Sequence, residues 1–468
     1  MQHKEKKRLA AFGKTKLLTP GQKETLTLRF PMSCLSSYDP ETCDTYLDKG
    51  NYILLAGTSS RNTIPVAVLK LSEKVILSHH RSLFTDAEPV QELSASLSAS
   101  EDLPSGLQVL DIDPGFFHCI EYDYLSRKEV ISEKTERFLD TFTPDDMVRF
   151  CAGTGLFGES RGFRVPGAVG HTTTDYLDKG IPNRELCDGP AGLRIQRRST
   201  INKKGKIKAV DAAISLYEFL PSFLRKFLLG NPKKEQMLYQ FVTGFPVAAA
   251  IAQSWNTDLA LEIGRAVSSE MSEYGVTWWL APALNIVRNP LCGRNYEYYS
   301  EDPLLSGKMA ASVTIGVQET PGHYVTIKHF AANNQEHNRY FVSSDLDERT
   351  LREIYLRGFE IVVREAAPKA VMSAYNKING TFCANNKALC SDILRGEWGF
   401  DGIVMTDWLS TGKDRADEAG CLNAGVDLIM PGGKGTRKAL LDACKDGRLA
   451  CDTLRLCCGR VLNQILQK

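Results

Sequence analysis

Residues 399–408 read Gly399-Phe400-Asp401-Gly402-Ile403-Val404-Met405-Thr406-Asp407-Trp408. The apolar run in this stretch follows a glycine and ends before a polar segment, a pattern typical of a buried strand in a parallel sheet. The strand ends in a carboxylate, Asp407. A carboxylate at the end of a buried strand is costly unless a partner or a substrate uses its charge. Taken alone, Asp407 could also be the N-cap of the next helix.

The region from residue 142 onward alternates strand-like and helical segments. Apolar, strand-like runs occur at 247–252, 277–280, 324–327, 370–374, 403–406 and 426–430. Helical stretches such as 257–274 and 348–366 lie between them. Repeated β–α units over about 330 residues predict an α/β fold of the (β/α)8 TIM-barrel type. A doubly wound open sheet is the alternative.

Residues 9–75 have the pattern of an all-β domain, with period-two alternation at 25–30 and strand-like runs at 50–57 and 64–71. Residues 76–135 read as a linker without a chemical motif, and the barrel domain is predicted to span 136–468. Within the barrel, residues 195–241 contain a basic run followed by an apolar segment. This composition predicts a solvated loop and a helical insertion.

The chain has 468 residues, a formal net charge of +1 and 13 cysteines. This balanced charge gives no indication of a nucleic-acid or membrane-surface partner. No apolar run approaches the ~20 residues that cross a bilayer. The cysteines and histidines lack the spacing of a metal motif, so we expect no metal and no organic cofactor. The sequence therefore predicts a cytoplasmic protein in a reducing compartment.

Two motif matches lack the structural context that their chemistry requires. Residues 153–158 satisfy GxGxxG, but a helical stretch rather than a strand precedes them, so a dinucleotide site is not indicated. Residues 158–162 satisfy GxSxG, but no apolar strand leads into Ser160. A serine-hydrolase elbow is therefore not indicated either.

Polar and aromatic residues cluster where the predicted strands end. Because the carboxyl ends of barrel strands converge on one face, we expect these side chains to surround one site. They are Asp188, Arg294, Lys328, His329, Tyr375, Asp407 and Trp408. Charged groups bind sugar hydroxyls, and aromatic rings pack on the apolar C–H faces of a sugar. The set therefore predicts a site for a small carbohydrate.

The same strings resemble the barrel domain of glycoside hydrolase family 3, and its β-glucosidase branch in particular. Residues 328–336 read Lys-His-Phe-Ala-Ala-Asn-Asn-Gln-Glu and lack the Pro-Gly-His-Gly continuation of the N-acetylglucosaminidase branch. The resemblance covers residues from about 142 to 468. Residues 9–75 resemble the fibronectin type III-like domain that accompanies many members of the family, without its opening strands.

This resemblance implies a role for each residue of the cluster. Asp407 matches the catalytic nucleophile, Trp408 the aromatic wall beside the scissile bond, and Tyr375 a tyrosine near the nucleophile. The positions that match sugar-hydroxyl ligands are Asp188, Arg294, Lys328 and His329. The implied reaction is retaining hydrolysis of terminal non-reducing β-D-glucosyl residues from glucosides or oligosaccharides. A β-xylosidase or other β-glycosidase and an inactive carbohydrate-binding remnant are the alternatives.

The resemblance also implies a proton donor from outside the barrel. In the β-glucosidase branch this acid usually belongs to an α/β sandwich domain, which precedes the fibronectin-like domain in members with the reversed domain order. We therefore expect the sandwich domain before Met1, outside this chain. A homo-oligomer is another expected assembly. The pair Glu336-His337 is a weaker candidate for the acid.

Four expectations concern residues that flank the cluster. Lys328 and Arg294, if close, should lower the pKa of Asp407. Glu297 either contacts the substrate or pairs with a nearby arginine. Arg194 is expected to have a structural role. The acidic pair Glu301-Asp302 should open the following helix, where negative charge favours the helix dipole.

Overall fold

The computed structural model describes residues 4–84, 106–122, 124, 131–155, 165–205, 207–210 and 229–467. The chain divides into two compact units. The first unit comprises Met1–Tyr124 together with Asp345–Glu353, and the second comprises Leu125–Ser344 together with Ile354–Lys468.

The first unit is built from two small sheets. Its strands are β1 (Ser37–Asp39), β2 (Asp44–Leu47), β3 (Gly50–Gly57), β4 (Thr63–Leu71), β5 (Val75–His79), β6 (Gln108–Ile112) and β7 (Ile120–Glu121). One sheet has the order β1-β2-β5-β7 and the other β3-β4-β6. Leu47, Leu71 and Val75 form its buried core. Three 3₁₀ or helical turns complete the unit, at Met32–Leu35, Pro114–Phe116 and Glu348–Thr350.

The strand predicted at 25–30 is wrong, because this segment has no strand in the structure. Leu26 and Leu28 are 41% and 50% exposed. Alternating residues supply side chains for one face of a sheet, but a strand also needs a neighbour to bond its backbone. The domain limits 9–75, 76–135 and 136–468 stay a prediction. The described part of 76–135 contains the rest of β5, both β6 and β7, and the start of a helix at Glu133.

The second unit alternates strands and helices. Its strands are β8 (Thr154–Gly155), β9 (Gly170–His171), β10 (Glu185–Asp188), β11 (Arg198–Ile201), β12 (Ile207–Ala209), β13 (Gln236–Tyr239), β14 (Trp278–Leu280), β15 (Tyr324–Phe330), β16 (Ser343–Ser344), β17 (Ala370–Ser373), β18 (Lys377–Ile378), β19 (Thr381–Phe382) and β20 (Ile403–Thr406). Its α-helices are Glu133–Leu139, Pro144–Cys151, Ala248–Gln253, Thr257–Tyr274, Pro303–Gln318, Arg357–Ala366, Glu418–Ala424, Lys434–Lys445 and Cys451–Leu466. Shorter or π-helical turns occur at Leu177–Lys179, Asn295–Glu297, Cys383–Asn385 and Ala388–Glu397, and the π-helical turn Leu351–Tyr355 begins in the first unit and ends in the second.

The main sheet of this unit closes into a barrel. Its order is β20-β17-β15-β14-β10-β9-β8, and the strands from β10 to β20 pair in parallel. Leu428 bridges to Met405 of β20, and Ile429 bridges to Ala152, which precedes β8. These two bridges join the ends of the sheet, so the predicted (β/α)8-type barrel is confirmed and the open sheet is excluded. The barrel is irregular because β9 runs antiparallel to both of its neighbours.

Most of the predicted barrel strands are present. The runs at 277–280, 324–327, 370–374 and 403–406 correspond to β14, β15, β17 and β20. The strand predicted at 247–252 is wrong, because Ala248–Gln253 is an α-helix. Four of its six residues are alanine, the best helix former, and an apolar run of this length does not distinguish a strand from a buried helix.

The insertion at 195–241 differs from its prediction in the part that the structure describes. The basic run lies partly in the antiparallel strands β11 and β12, and β13 completes a three-stranded sheet. The loop interpretation is therefore wrong there, because Ser199 and Thr200, which follow Arg198, pair with strands on both sides and are buried. The apolar segment at 211–228 lies outside the described residues, as does the 156–162 part of the two motif matches.

A buried ion cluster fixes strand β20 to the helices behind it. Asp427 is fully buried, and its Oδ2 accepts hydrogen bonds from Arg395 Nη2 at 2.7 Å and from the Val404 amide at 2.8 Å. Arg460 Nη1 donates to the other oxygen at 3.0 Å. The Arg395 and Arg460 side chains are each less than a tenth exposed. The cluster therefore ties the strand that leads to Asp407 to two separate helical segments.

We expect Asp427→Ala to lower the free energy of unfolding of the second unit by about 3 kcal/mol or more, because it leaves two guanidinium groups buried without their carboxylate. All five tryptophans lie in this unit, so urea unfolding followed by tryptophan fluorescence measures it. Asp401→Ala is the control, since the Asp401–Lys369 pair is at the surface and should contribute less than about 1 kcal/mol. Equal losses in the two variants would contradict this assignment.

Candidate active site

The predicted cluster forms at the carboxyl ends of the barrel strands. Asp188 is the last residue of β10, and Lys328 and His329 lie in β15. Tyr375 follows β17, and Asp407 follows β20. The parallel register pairs Ser373 with Thr406, which brings the segments carrying Tyr375 and Asp407 side by side. Hydrogen bonds and ion pairs then connect these side chains.

Asp407 is a buried carboxylate whose position is set by two hydrogen bonds. The Tyr375 hydroxyl donates to Oδ1 at 2.9 Å, and the Trp408 amide donates to the same oxygen at 2.6 Å. The other oxygen, Oδ2, lies 3.7 Å from Nε2 of His329. The Trp408 carbonyl also lies 2.9 Å from the Tyr375 hydroxyl, so the single phenol proton is shared between the carboxylate and the following backbone.

The net pKa of Asp407 differs from the sequence-based expectation. Burial raises its pKa above the usual value of an aspartate, and the nearby charges of Arg294 and Lys328 lower it only in part. The hydrogen bonds from the Trp408 amide and from Tyr375 also lower it. The predicted effect of the two cations is therefore confirmed, but the prediction of a lowered pKa is wrong because desolvation of the carboxylate outweighs them.

His329 is a buried, neutral imidazole. Burial lowers its pKa well below the ordinary histidine value, and Arg294 and Lys328 act in the same direction. Arg294 Nη2 lies 2.8 Å from His329 Nε2. A guanidinium can only donate, so Nε2 accepts and the ring proton is on Nδ1. Asn285 holds the His329 backbone on both sides, accepting from its amide at 2.9 Å and donating to its carbonyl at 2.8 Å.

Asp188 is held between two cations. Lys328 Nζ donates to Oδ1 at 2.7 Å, and Arg194 Nη2 lies 2.8 Å from Oδ2. Burial raises the pKa of Asp188, but Lys328 and Arg194 outweigh it and lower the pKa to about 2. The pair of Asp188 and Lys328 therefore places a fixed acceptor beside a fixed donor. Arg194, expected to be structural, contacts Asp188 directly through a largely exposed side chain.

Arg294 connects the imidazole to two carboxylates. Its Nε donates to Glu297, which is buried, and its Nη1 lies 4.0 Å from Glu336 Oε1. Of the two interpretations of Glu297, the structure therefore favours the arginine pair. Arg339 Nη1 donates to Glu336 Oε2 at 2.9 Å, and Asn333 donates to Oε1 at 3.1 Å. Glu336 thus lies in the wall of the same site.

Trp408, the residue after Asp407, has an indole ring whose orientation is fixed by the backbone. Its Nε1 donates to the Val169 carbonyl at 3.0 Å, and the ring is half-buried. Because the indole N–H is bonded to the backbone, the ring has one fixed orientation. Asp302, on the other hand, is the N-cap of helix Pro303–Gln318 and accepts from the Leu305 amide at 2.9 Å, so its predicted structural role is confirmed.

The sequence analysis missed a group of cations and rings beside Tyr375. The Arg339 guanidinium lies 4.6 Å from the centre of the Tyr375 ring, and Tyr340 packs edge-on against that ring at 4.7 Å. Arg415 lies 4.2 Å from the centre of the Tyr340 ring. The adjacent pair Arg339-Tyr340 was the signal available in the sequence for this group. Nothing in the sequence places the pair opposite Arg415.

The structure thus defines a class of site, an α/β barrel with one oriented carboxylate among hydrogen-bond donors, acceptors and an aromatic ring. Residues 234–464 match the description Glycosyl hydrolase family 3 N terminal domain, and residues 3–60 match Fibronectin type III-like domain. The chain belongs to glycosyl hydrolase family 3, with the fibronectin-like domain ahead of the barrel domain.

Three proteins illustrate this relationship. Beta-glucosidase A of Butyrivibrio fibrisolvens is 32% identical over 469 residues, which cover 94% of this chain and 51% of that protein. A beta-glucosidase from Paenibacillus barengoltzii aligns with a TM-score of 0.74 at 29% identity, over 98% of this chain and 49% of that one. Beta-glucosidase 3B from Thermotoga neapolitana, solved with alpha-D-glucose, aligns with a TM-score of 0.59 at 41% identity. The alignment covers 70% of this chain and 42% of that one.

The chain spans 33%, 51%, 32% and 26% of the length of four curated relatives that it matches, all of them beta-glucosidases by name.

The ion pair at Asp188 predicts a pH-dependent stability difference. An aspartate with a folded-state pKa of about 2 contributes stability above its unfolded pKa of about 3.8 and loses it as the pH falls toward 2. We expect Asp188→Asn to cost about 2 kcal/mol at pH 7. The cost should decrease between pH 4 and pH 2, because Asp188 becomes protonated in the natural protein. Urea unfolding at several pH values measures this.

Asp178→Asn, a substitution at an exposed aspartate of the same unit, is the control for this series. A difference between the natural protein and Asp188→Asn that stays constant down to pH 2, or that increases on acidification, would contradict the assignment.

Proposed function

We propose that this chain performs the nucleophilic step in retaining hydrolysis of terminal non-reducing β-D-glucosyl residues, with Asp407 as the nucleophile. The observation that carries the proposal is the geometry of this carboxylate. Tyr375 and the Trp408 amide both bond Oδ1 and so fix its orientation, while Oδ2 is on the side of His329. We assign the attack to Oδ2.

In this reaction Oδ2 forms a bond to the anomeric carbon as the bond from that carbon to the leaving oxygen breaks. Water then hydrolyses the glycosyl-enzyme and releases the sugar with its original configuration. The nucleophile must be ionised. Arg294 and Lys328 favour this form, against the burial that raises the pKa of Asp407. The two cations therefore support the step directly.

The groups around Asp407 suit the hydroxyls of one hexose. Asp188 offers acceptor oxygens and Lys328 offers donor protons, 2.7 Å apart. Arg294 adds fixed donors, and Trp408 offers an apolar ring face. We infer that these residues bind the glucosyl unit. The glucose complex of the Thermotoga neapolitana relative supports glucose as this sugar.

The proton donor for the leaving oxygen is a separate question. Both oxygens of Glu336 are engaged, Oε1 by Asn333 and Oε2 by Arg339. These contacts support a role for Glu336 in holding the site wall rather than in donating a proton. The expectation that the acid comes from an α/β sandwich domain stays a prediction, as do the homo-oligomer and the alternative of β-xylosidase specificity.

We also propose a reducing, cytoplasmic location. All 13 cysteines are free, and eight of them are buried. Within the described residues, none of the helices has both the length and the apolar character needed to cross a membrane. Thiol titration of unfolded protein that was purified without reductant tests the compartment, and 13 free thiols per chain are expected.

An activated fluorinated glucoside tests the nucleophile independently of the acid. A 2-deoxy-2-fluoroglucoside with a dinitrophenolate leaving group needs no proton donor, so the natural chain should accumulate a glycosyl adduct on the peptide containing Asp407. In Asp407→Asn we expect no adduct, and hydrolysis of dinitrophenyl β-glucoside slower by at least about 10³-fold. Mass spectrometry and absorbance measure the two effects.

Asp401→Asn, six residues earlier, is the matched control and should label normally. Adduct formation in Asp407→Asn would contradict the proposal. Glucose binding by the natural protein without labelling would favour the carbohydrate-binding remnant, and faster labelling by the corresponding xyloside would favour the β-xylosidase alternative.

Tyr375→Phe tests the hydrogen bond that orients the nucleophile. Since this bond lowers the pKa of Asp407, its loss should raise that pKa further, and the acidic limb of kcat/KM should move to higher pH. Loss of a hydrogen bond to a charged group should also slow the reaction about tenfold. The measurement is kcat/KM for dinitrophenyl β-glucoside as a function of pH.

Tyr340→Phe removes a hydroxyl from the adjacent ring, which packs on Tyr375 without reaching Asp407 in the contacts described. We expect its acidic limb to coincide with that of the natural protein. An unshifted limb in Tyr375→Phe would show that the phenol does not control Asp407.

A further inference from the structure

Four potential metal-site residues lie together in the first unit, away from the residues of the candidate active site along the chain. The register of the β1-β2-β5-β7 sheet pairs Asp44 of β2 with His79 of β5, and His79 with Glu121 of β7. The three side chains therefore form a row across neighbouring strands, on one face of the sheet. Cys119 lies just before β7, two residues from Glu121.

The potential ligand atoms are close enough to share one ion. His79 Nε2 lies 3.6 Å from Glu121 Oε1. With the Cys119 sulfur, all three atoms lie within 4.8 Å of one another. The edges of a tetrahedral zinc site measure about 3.3–3.7 Å, given metal–ligand bonds of about 2.0–2.3 Å. Small rotations of the exposed cysteine and glutamate side chains would complete this geometry.

Asp44 has the position of a supporting group for a metal-bound histidine. It is buried, and its Oδ1 lies 2.6 Å from His79 Nδ1. A carboxylate bonded to one ring nitrogen fixes the tautomer and leaves the other nitrogen free to bind a metal, as in carboxylate–histidine–zinc sites. A simple surface ion pair would need only Asp44 and His79. Glu121 could extend such an ion pair on the other side of the ring, but the Cys119 sulfur within 4.8 Å of the same atoms is a group that a metal ion uses and an ion pair does not.

We propose that His79 Nε2, Cys119 Sγ and a Glu121 oxygen bind a zinc-class divalent cation, with Asp44 as the positioning residue and water as the fourth ligand. The mixed nitrogen, sulfur and oxygen set suits Zn²⁺ or Co²⁺, whereas Mg²⁺ and Ca²⁺ require oxygen ligands. The ion would join β5 to β7, the last strand of this sheet. This inference is independent of the proposed glycosidase reaction.

The test uses the full chain after treatment with a chelator and dialysis. We expect one high-affinity equivalent of Zn²⁺ in competition with a chromophoric chelator. Addition of one equivalent of Co²⁺ should give a thiolate-to-cobalt charge-transfer band and the intense visible bands of tetrahedral Co²⁺. The charge-transfer band requires a cysteine ligand and so reports Cys119 directly.

Four variants decide the assignment. Cys119→Ser should abolish the charge-transfer band, and His79→Gln should weaken Zn²⁺ binding at least tenfold. Asp44→Asn should weaken it by about 10- to 100-fold while keeping the band, since it removes support but no ligand. Cys451→Ser, at an exposed cysteine of the second unit, should bind as the natural protein does. Absence of the band in the natural protein, or its persistence in Cys119→Ser, would overturn the proposal.

Discussion

The site depends on one constraint, the burial of the Asp407 carboxylate at the end of strand β20. Desolvation raises its pKa, and an ionised form is available only because Arg294, Lys328 and two hydrogen bonds oppose that effect. Each of these groups is itself held by another. Lys328 bonds to Asp188, Arg294 bonds to Glu297, and Tyr375 bonds to the backbone of Trp408. The polar network around Asp407 is therefore continuous rather than a set of separate pairs.

The fold supplies the rigidity that this network requires. Strand β20 pairs with β17 along its whole length, and the chain at 428–429 joins it to the start of the barrel. Behind the strand, the Asp427 cluster bonds the Val404 amide and two arginines. A buried charge cluster of this kind stabilises one arrangement of strand and helices, because any other arrangement leaves its charges without partners. Asp407, one residue past the strand, therefore has little freedom.

The sequence predicted the barrel and the membership of its polar cluster because both follow from short patterns. An apolar run that ends in a polar residue identifies a strand and the face on which its end lies. Properties set by contacts distant in sequence were not predictable in this way. The antiparallel direction of β9, the helix at Ala248–Gln253 and the contact of Arg415 with Tyr340 depend on tertiary packing. The row of Asp44, His79 and Glu121 depends on strand register, so spacing rules alone gave no metal site.

The charge states around the proposed sugar site have a consequence for how acidity acts on this protein. Asp188 has a pKa of about 2 and His329 is neutral, so neither group changes charge between mildly acidic and mildly alkaline conditions. Asp407 has a raised pKa and is the carboxylate of this cluster most sensitive to acidification. Ligand affinity should therefore vary little over the pH range in which turnover changes. Ligand recognition and reactivity would then depend on pH in different ways.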